Sequence, residues 1–158
     1  MSVHTPSAKK SASLLALFLF VAGVVAVGIA IGLLTAPGQW YQSLEKPPFN
    51  PPSWVFGPVW TVLYVMIGVA GWRIWRVSSR GTAMALWIAQ MLLNWFWSPL
   101  FFAAQMPWAA FAVIVALLAA IVLFIVEARR VDGAASWLFV PYAAWVAFAT
   151  VLNGSIAV

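Results

Sequence analysis

Trp60 and Tyr64 stand four residues apart. Gln90, Asn94, Ser98 and Phe101 follow one another at steps of four, four and three, and Pro141, Trp145 and Ala149 repeat the four-residue step. On helices each set shares one face. The groups presented are indole, phenol, amide and hydroxyl. None is an acid or a base at neutral pH. The chemistry on offer is stacking and hydrogen bonding, not proton transfer.

The residues that would do other chemistry are absent or misplaced. The three acids, Glu45, Glu127 and Asp132, lie at loops or helix ends, which removes the mid-membrane carboxylates of proton relays and cation-coupled pumps. His4 is the single histidine and sits in the N-terminal tail, so an imidazole-ligated haem and a histidine-based triad find no residue in the apolar body. There is no cysteine, hence no disulfide or thiolate site. Thr61, Ser98 and Thr150 have no neighbouring base and read as hydroxyls bonded back to a helix.

These faces must be held by something, and composition says what. The chain of 158 residues is 65% hydrophobic, 16% aromatic and 7% charged. Soluble domains carry about 25% charged residues. The mean hydropathy is +1.01. This is the composition of a membrane protein. The formal net charge of +5 does not indicate nucleic acid, because the basic residues flank apolar runs.

Apolar stretches predict five transmembrane helices, at 13–34, 55–76, 83–103, 108–127 and 135–156, in one all-α domain over 13–158. Each is close to the roughly 20 residues that cross a bilayer as a helix, whereas barrel strands would be half as long and would alternate. Residues 1–12 read as a disordered tail. Lys9, Lys10, Arg73, Arg76, Arg80, Arg129 and Arg130 fall on one side and only Lys46 on the other. The positive-inside rule makes the N-terminus cytoplasmic and puts the C-terminus on the far side.

The loop at 35–54 is on that far side. Its five prolines, 37, 47, 48, 51 and 52, fix φ and remove donors, so it can be ordered without regular structure. It reads as a lid carrying Trp40, Tyr41, Lys46, Phe49, Pro51, Pro52 and Trp54. Eleven tryptophans need explaining. An interfacial belt accounts for Trp40, Trp54, Trp72, Trp75, Trp87, Trp108 and Trp137. It does not account for Trp145 in mid-span, and it fits Trp60 poorly, about 9 Å along its helix. The second span starts on the far side while the third and fifth end there. Trp60, Tyr64, Asn94, Trp97, Ser98 and Trp145 therefore share one depth and would wall a cavity for a flat apolar ligand. From their own stretch alone, Gln90 and Asn94 read better as interhelical glue. Only Lys46 could meet an acidic group.

The stretches "WYQSLEKPPFNPPSWVFGPVWTVLY", "QMLLNWFWSPLFF" and "LFVPYAAWVAFATVLN" resemble the TspO/MBR family of translocator and tryptophan-rich sensory proteins, over residues 14–156 and in the same order. The resemblance implies a five-helix bundle with a loop-covered pocket and porphyrin ligands such as protoporphyrin IX. It also implies synthetic ligands of the benzodiazepine and isoquinoline carboxamide type. By motif match the contacting positions are Tyr41, Trp60, Asn94, Ser98, Phe101, Trp145 and Ala149. The expected role is a receptor or carrier in tetrapyrrole homeostasis or stress sensing, with no covalently bound cofactor. Alternatives are light-dependent porphyrin degradation through Trp60 and Trp145, and multidrug or sterol transport. Phe49 stands where many members have tryptophan. No Tyr…Arg segment of the animal cholesterol motif follows Asn153, which points to a bacterial-type member. The resemblance also implies a homodimer, with Gly28 and Gly32 or Ala85 and Ala89 as small-residue contact motifs. Membrane lipids, and a sterol, are further apolar partners.

Overall fold

The computed structural model describes residues 6–158, with side chains from Ser13 onward. His4 and the first five residues of the expected tail lie outside the described residues. The described chain is helical: α1 Pro6–Leu34, α2 Gln39–Ser43, α3 Ser53–Ser78, α4 Thr82–Ser98, a π-helical turn Pro99–Ala103, α5 Pro107–Val131, α6 Gly133–Leu138 and α7 Val140–Ala157. The helix α1 thus starts at Pro6, upstream of the expected residue 13. Among the described residues, four stretches are long and apolar enough to cross a membrane: Ser13–Leu34, Ser53–Ser78, Pro107–Val131 and Gly133–Ala157. The molecule is an integral, multi-pass membrane protein. At 17 residues, α4 is shorter than these.

Proline sets several boundaries. Pro52 precedes α3, and Pro107 opens α5. Pro58 lies in the second turn of α3, where its missing N–H leaves the Trp54 carbonyl without a helical donor at the loop-facing end. Two expected single helices are divided for the same reason. Pro99 cannot donate to the carbonyl four residues back, and the chain widens into the π turn, closed by Ala104 N–H to Pro99 O at 2.9 Å. Pro141 likewise separates α6 from α7 at Phe139, whose N–H meets Ser136 O at 3.1 Å, three residues back rather than four. The expected irregular loop at 35–54 also contains α2, in the proline-free stretch between Pro37 and Pro47.

The helix α5 is the hub, packed against α4, α6 and α7, while α1 rests mainly on α3. Ile67, Ile74, Ile114, Ile121, Phe124, Phe139 and Tyr142 fill the core. Phe18, Leu19, Leu33 and Leu34 face outward along α1, as lipid-facing side chains do. Glycine admits two close contacts. A Cβ at Gly28 would land on the Tyr64 ring, and one at Gly71 on the Trp87 indole. Trp87 is therefore packed between α3 and α4 rather than standing free. Its Nε1 donates to Ile67 O at 2.9 Å across the α3–α4 seam.

One charged pair ties the end opposite the Pro-rich segment. Arg73 on α3 meets Asp132 between α5 and α6, with Nη2–Oδ2 at 3.0 Å and Nε–Oδ1 at 3.1 Å. Asp132 also caps α6 by accepting from Ala135 N–H at 3.1 Å. Burial works against its charge. The hydrogen bond and charge of Arg73 and the α6 amides outweigh that, and hold its carboxyl below the ordinary value. A depressed carboxyl stabilises the fold above its unfolded pKa and loses that contribution as pH falls through the folded one. Asp132→Ala is expected to cost about 1–2 kcal/mol at neutral pH. Thermal unfolding in micelles should show the gap to wild type closing below about pH 4. A gap constant down to pH 3 would mean the carboxylate contributes nothing.

Candidate functional site

Between α1, α3, α4, α5, α7 and the Pro-rich segment lies a cavity of ≈ 780 Å³. Trp60 and Tyr64 reach it from α3, Asn94, Trp97 and Ser98 from α4, and Trp145 and Ala149 from α7. Tyr41, Lys46, Pro51 and Pro52 line it from the Pro-rich segment. Other expected positions stand elsewhere. Phe101 is 2% exposed and lies behind the wall, stacked on Trp97 at 5.5 Å, while its neighbour Phe102 takes the lining position. The π turn explains that one-residue offset, because it rotates the face away from the i, i+4, i+8, i+11 register. Trp40 packs on Phe101 and Phe49 on Phe148, and Trp54 is 75% exposed. Pro141 is exposed, whereas Trp145 and Ala149 on the same expected face do line the cavity.

The deep polar groups are joined in one hydrogen-bonded chain. Tyr64 Oη donates to Asn94 Oδ1 at 3.3 Å, and Asn94 Nδ2 donates to Tyr142 Oη at 2.7 Å. Tyr142 Oη donates to Gln90 Oε1 at 2.9 Å, and Gln90 Nε2 donates to Trp87 O at 2.9 Å. Each hydroxyl spends its proton in the same direction along the chain. This links α3, α4 and α7 and holds Trp60, 5.3 Å from Tyr64 between ring centres, against the cavity. Gln90 and Asn94 are therefore interhelical glue, and Asn94 is also part of the wall. Tyr142 is fully buried and was not singled out from sequence. Its only signal was the position next to Pro141, one residue off the face that carries Trp145.

Nearer the Pro-rich segment, Thr35 Oγ1 donates to Ile31 O at 2.7 Å and lies 2.6 Å from Ser98 Oγ. With the Thr35 proton spent, Ser98 is the donor of that pair. Trp97 Nε1 donates to Asn153 Oδ1 at 3.0 Å, and Asn153 Nδ2 donates to Pro107 O at 2.9 Å, so the indole is fixed from α7. Phe56 meets Trp145 edge-on at 5.8 Å. Tyr41 meets Phe102 edge-on at 5.2 Å, and burial pushes its phenol above the ordinary value, so it stays protonated. Trp145 Nε1 has no hydrogen-bond partner among the described residues.

The two glycines of the GxxxG stretch differ. Gly28 is buried inside the chain, where the absent side chain makes room for Tyr64, so it is not available as a dimer contact. Gly32 has open space around a built Cβ and lines the cavity. Gly28→Ala should displace the Tyr64 ring and destabilise the protein by about 1–3 kcal/mol. Gly32→Ala should change stability by less than about 0.5 kcal/mol. Melting temperatures of the two variants in one detergent check this, and equal values would show that the Gly28–Tyr64 contact is slack.

Comparison with known proteins places this arrangement. A model of the TspO/MBR family matches residues 20–158. The tryptophan-rich protein TspO of Chlorobaculum tepidum is 40% identical over 149 residues, covering 90% of this chain and 94% of that protein. The tryptophan-rich sensory protein of Cereibacter sphaeroides is 36% identical over 138 residues, 87% of each chain. The translocator protein of Homo sapiens is 40% identical over 121 residues, 73% of this chain and 71% of that protein. With Trp60, Trp97 and Trp145 lining one cavity and its similarity running nearly end to end, the chain belongs to the TspO/MBR family.

Proposed function

We propose that this protein is a membrane receptor or carrier for flat apolar ligands, porphyrins such as protoporphyrin IX among them, serving tetrapyrrole homeostasis or stress sensing. One observation carries the reading. Trp60, Tyr64, Trp97 and Trp145 line a single cavity of ≈ 780 Å³ that includes no acidic side chain. Drug-sized ligands occupy pockets of about 300–1,000 Å³. Aromatic walls contribute stacking area at little entropic cost. The same walls suit ligands of the benzodiazepine and isoquinoline carboxamide type. The names of the relatives, tryptophan-rich sensory protein and translocator protein, agree with sensing or carriage.

The proposed topology has five crossings, with α4 and the π turn together forming the third. Arg73, Arg76, Arg80, Arg129 and Arg130 gather at the end that the positive-inside rule assigns to the cytoplasm. The Pro-rich segment then acts as a lid on the far side. Ala85 and Ala89 lie exposed on α4 and form the better surface for a homodimer, since Gly28 is occupied within the chain.

Two experiments test this. Protoporphyrin IX should quench tryptophan fluorescence saturably in the micromolar range in detergent, and Trp145→Phe should weaken the affinity several-fold. Linear quenching, or an affinity unchanged by the substitution, would show that the tryptophans serve packing alone. For the assembly, Ala85→Trp with Ala89→Trp should give monomers by light scattering in micelles. A persisting dimer would exclude this face.

A further inference from the structure

Among the described residues Lys46 is the one charged side chain that lines the cavity. Its ammonium has three donors. Two make long bonds to backbone oxygens, Gln42 O at 3.4 Å and Leu44 O at 3.3 Å. The group also sits 4.6 Å from the centre of the Tyr41 ring. No carboxylate of the described residues pairs with it, the ion pair between Arg73 and Asp132 being at the other end of the molecule. The deep wall, with Ile114, Leu117 and Val146, offers hydrocarbon. The cavity is therefore graded, with a cation at one end and apolar surface at the other.

An unpaired ammonium beside an apolar cavity attracts a partner charge more strongly than it would in open water. A charge-assisted N–H···O bond to a carboxylate is also stronger than the long carbonyl contacts it would supplement. We infer that Lys46 anchors a carboxylate of the ligand. The cavity takes a flat apolar acid with its acidic edge at Lys46 and its apolar body against Trp60 and Trp145. This rests on the cavity being a ligand site, as proposed above, and adds a preference for acids over neutral analogues of the same shape. The phosphate of an anionic lipid carries the same charge and is the rival occupant.

The test is a comparison of protoporphyrin IX with its dimethyl ester, titrated by tryptophan quenching into wild type and Lys46→Met in uncharged micelles. Methionine keeps an apolar stem and removes the charge. The quantity read is the acid-to-ester affinity ratio in each protein, so that partitioning into micelles cancels. Wild type is expected to exceed Lys46→Met in that ratio by about tenfold. The excess should shrink with added salt, and ester affinity should be the same in both proteins. Equal ratios with saturable binding overturn the anchor and leave the cavity reading intact. A parallel loss of acid and ester affinity in Lys46→Met also overturns it, because the lysine would then only support the segment. Failure of wild type to bind either porphyrin removes the cavity reading and the anchor together. Anionic phosphatidylglycerol added at a low ratio should leave the excess in place. Its disappearance would assign Lys46 to lipid headgroups.

Discussion

The hydrogen bond from Asn94 to the Tyr142 hydroxyl, 2.7 Å long and buried, is the joint on which the rest depends. An amide in hydrocarbon must find partners, and leaving one bare costs about 1–3 kcal/mol. Asn94 satisfies that demand on two helices at once, accepting from Tyr64 of α3 and donating to Tyr142 of α7. The requirement fixes the rotation of three helices about their axes. Once those rotations are set, Trp60 and Trp145 have no choice but to face the same space. The cavity follows from polar satisfaction as much as from apolar packing.

That dual use explains why the amides could be read either way from sequence. Gln90 and Asn94 share a helical face, which identified the face and not its partner. The partner, Tyr142, sits one position from the spacing that linked Pro141, Trp145 and Ala149. Spacing finds residues on one helix, whereas a bond between helices depends on their relative rotation, which no local pattern encodes. The tryptophans were legible for a simpler reason. An indole at mid-span cannot reach an interface, so its depth alone marked Trp145 as a wall residue. Trp87 lies nearer a helix end and could not be separated from the belt. Its role depends on the glycine opposite, Gly71, on another helix.

Gly28 makes the same point about short motifs. Two glycines four residues apart permit close approach of any partner, from the same chain or from another. Tyr64 occupies the space beside Gly28, and no second copy can share it. Four of the expected spans were legible because hydrophobic length is a one-dimensional property. The internal breaks at Pro99 and Pro141 were visible as prolines, yet the consequence of each differs. At Pro99 the chain widens into a π turn and carries Phe102 into the wall. At Pro141 it divides α6 from α7 and leaves the proline outside the cavity.

The two ends of the molecule are held by different forces. At one, Arg73 and Asp132 form a two-bonded ion pair that also caps a helix. At the other, the Pro-rich segment rests on edge-on contacts from Trp40 and Tyr41 to Phe101 and Phe102, each worth about 0.5–1.5 kcal/mol beyond burial. Most of its hydrogen bonds stay within the segment, such as Leu44 N–H to Tyr41 O at 3.4 Å, Asn50 N–H to Pro47 O at 3.0 Å and Ser43 Oγ to Trp40 O at 2.7 Å. Between that end and Trp60 stand these ring contacts, the Phe49–Phe148 pair and the Thr35–Ser98 hydrogen bond. Reaching it from the opposite end would mean passing the packed layer of Ile67, Ile74, Phe124 and Phe139, all fully buried. Five prolines keep the weaker end from wandering, because each removes a rotatable φ that aromatic contacts alone would not hold. The segment is thus ordered by covalent stiffness as well as by its aromatic contacts.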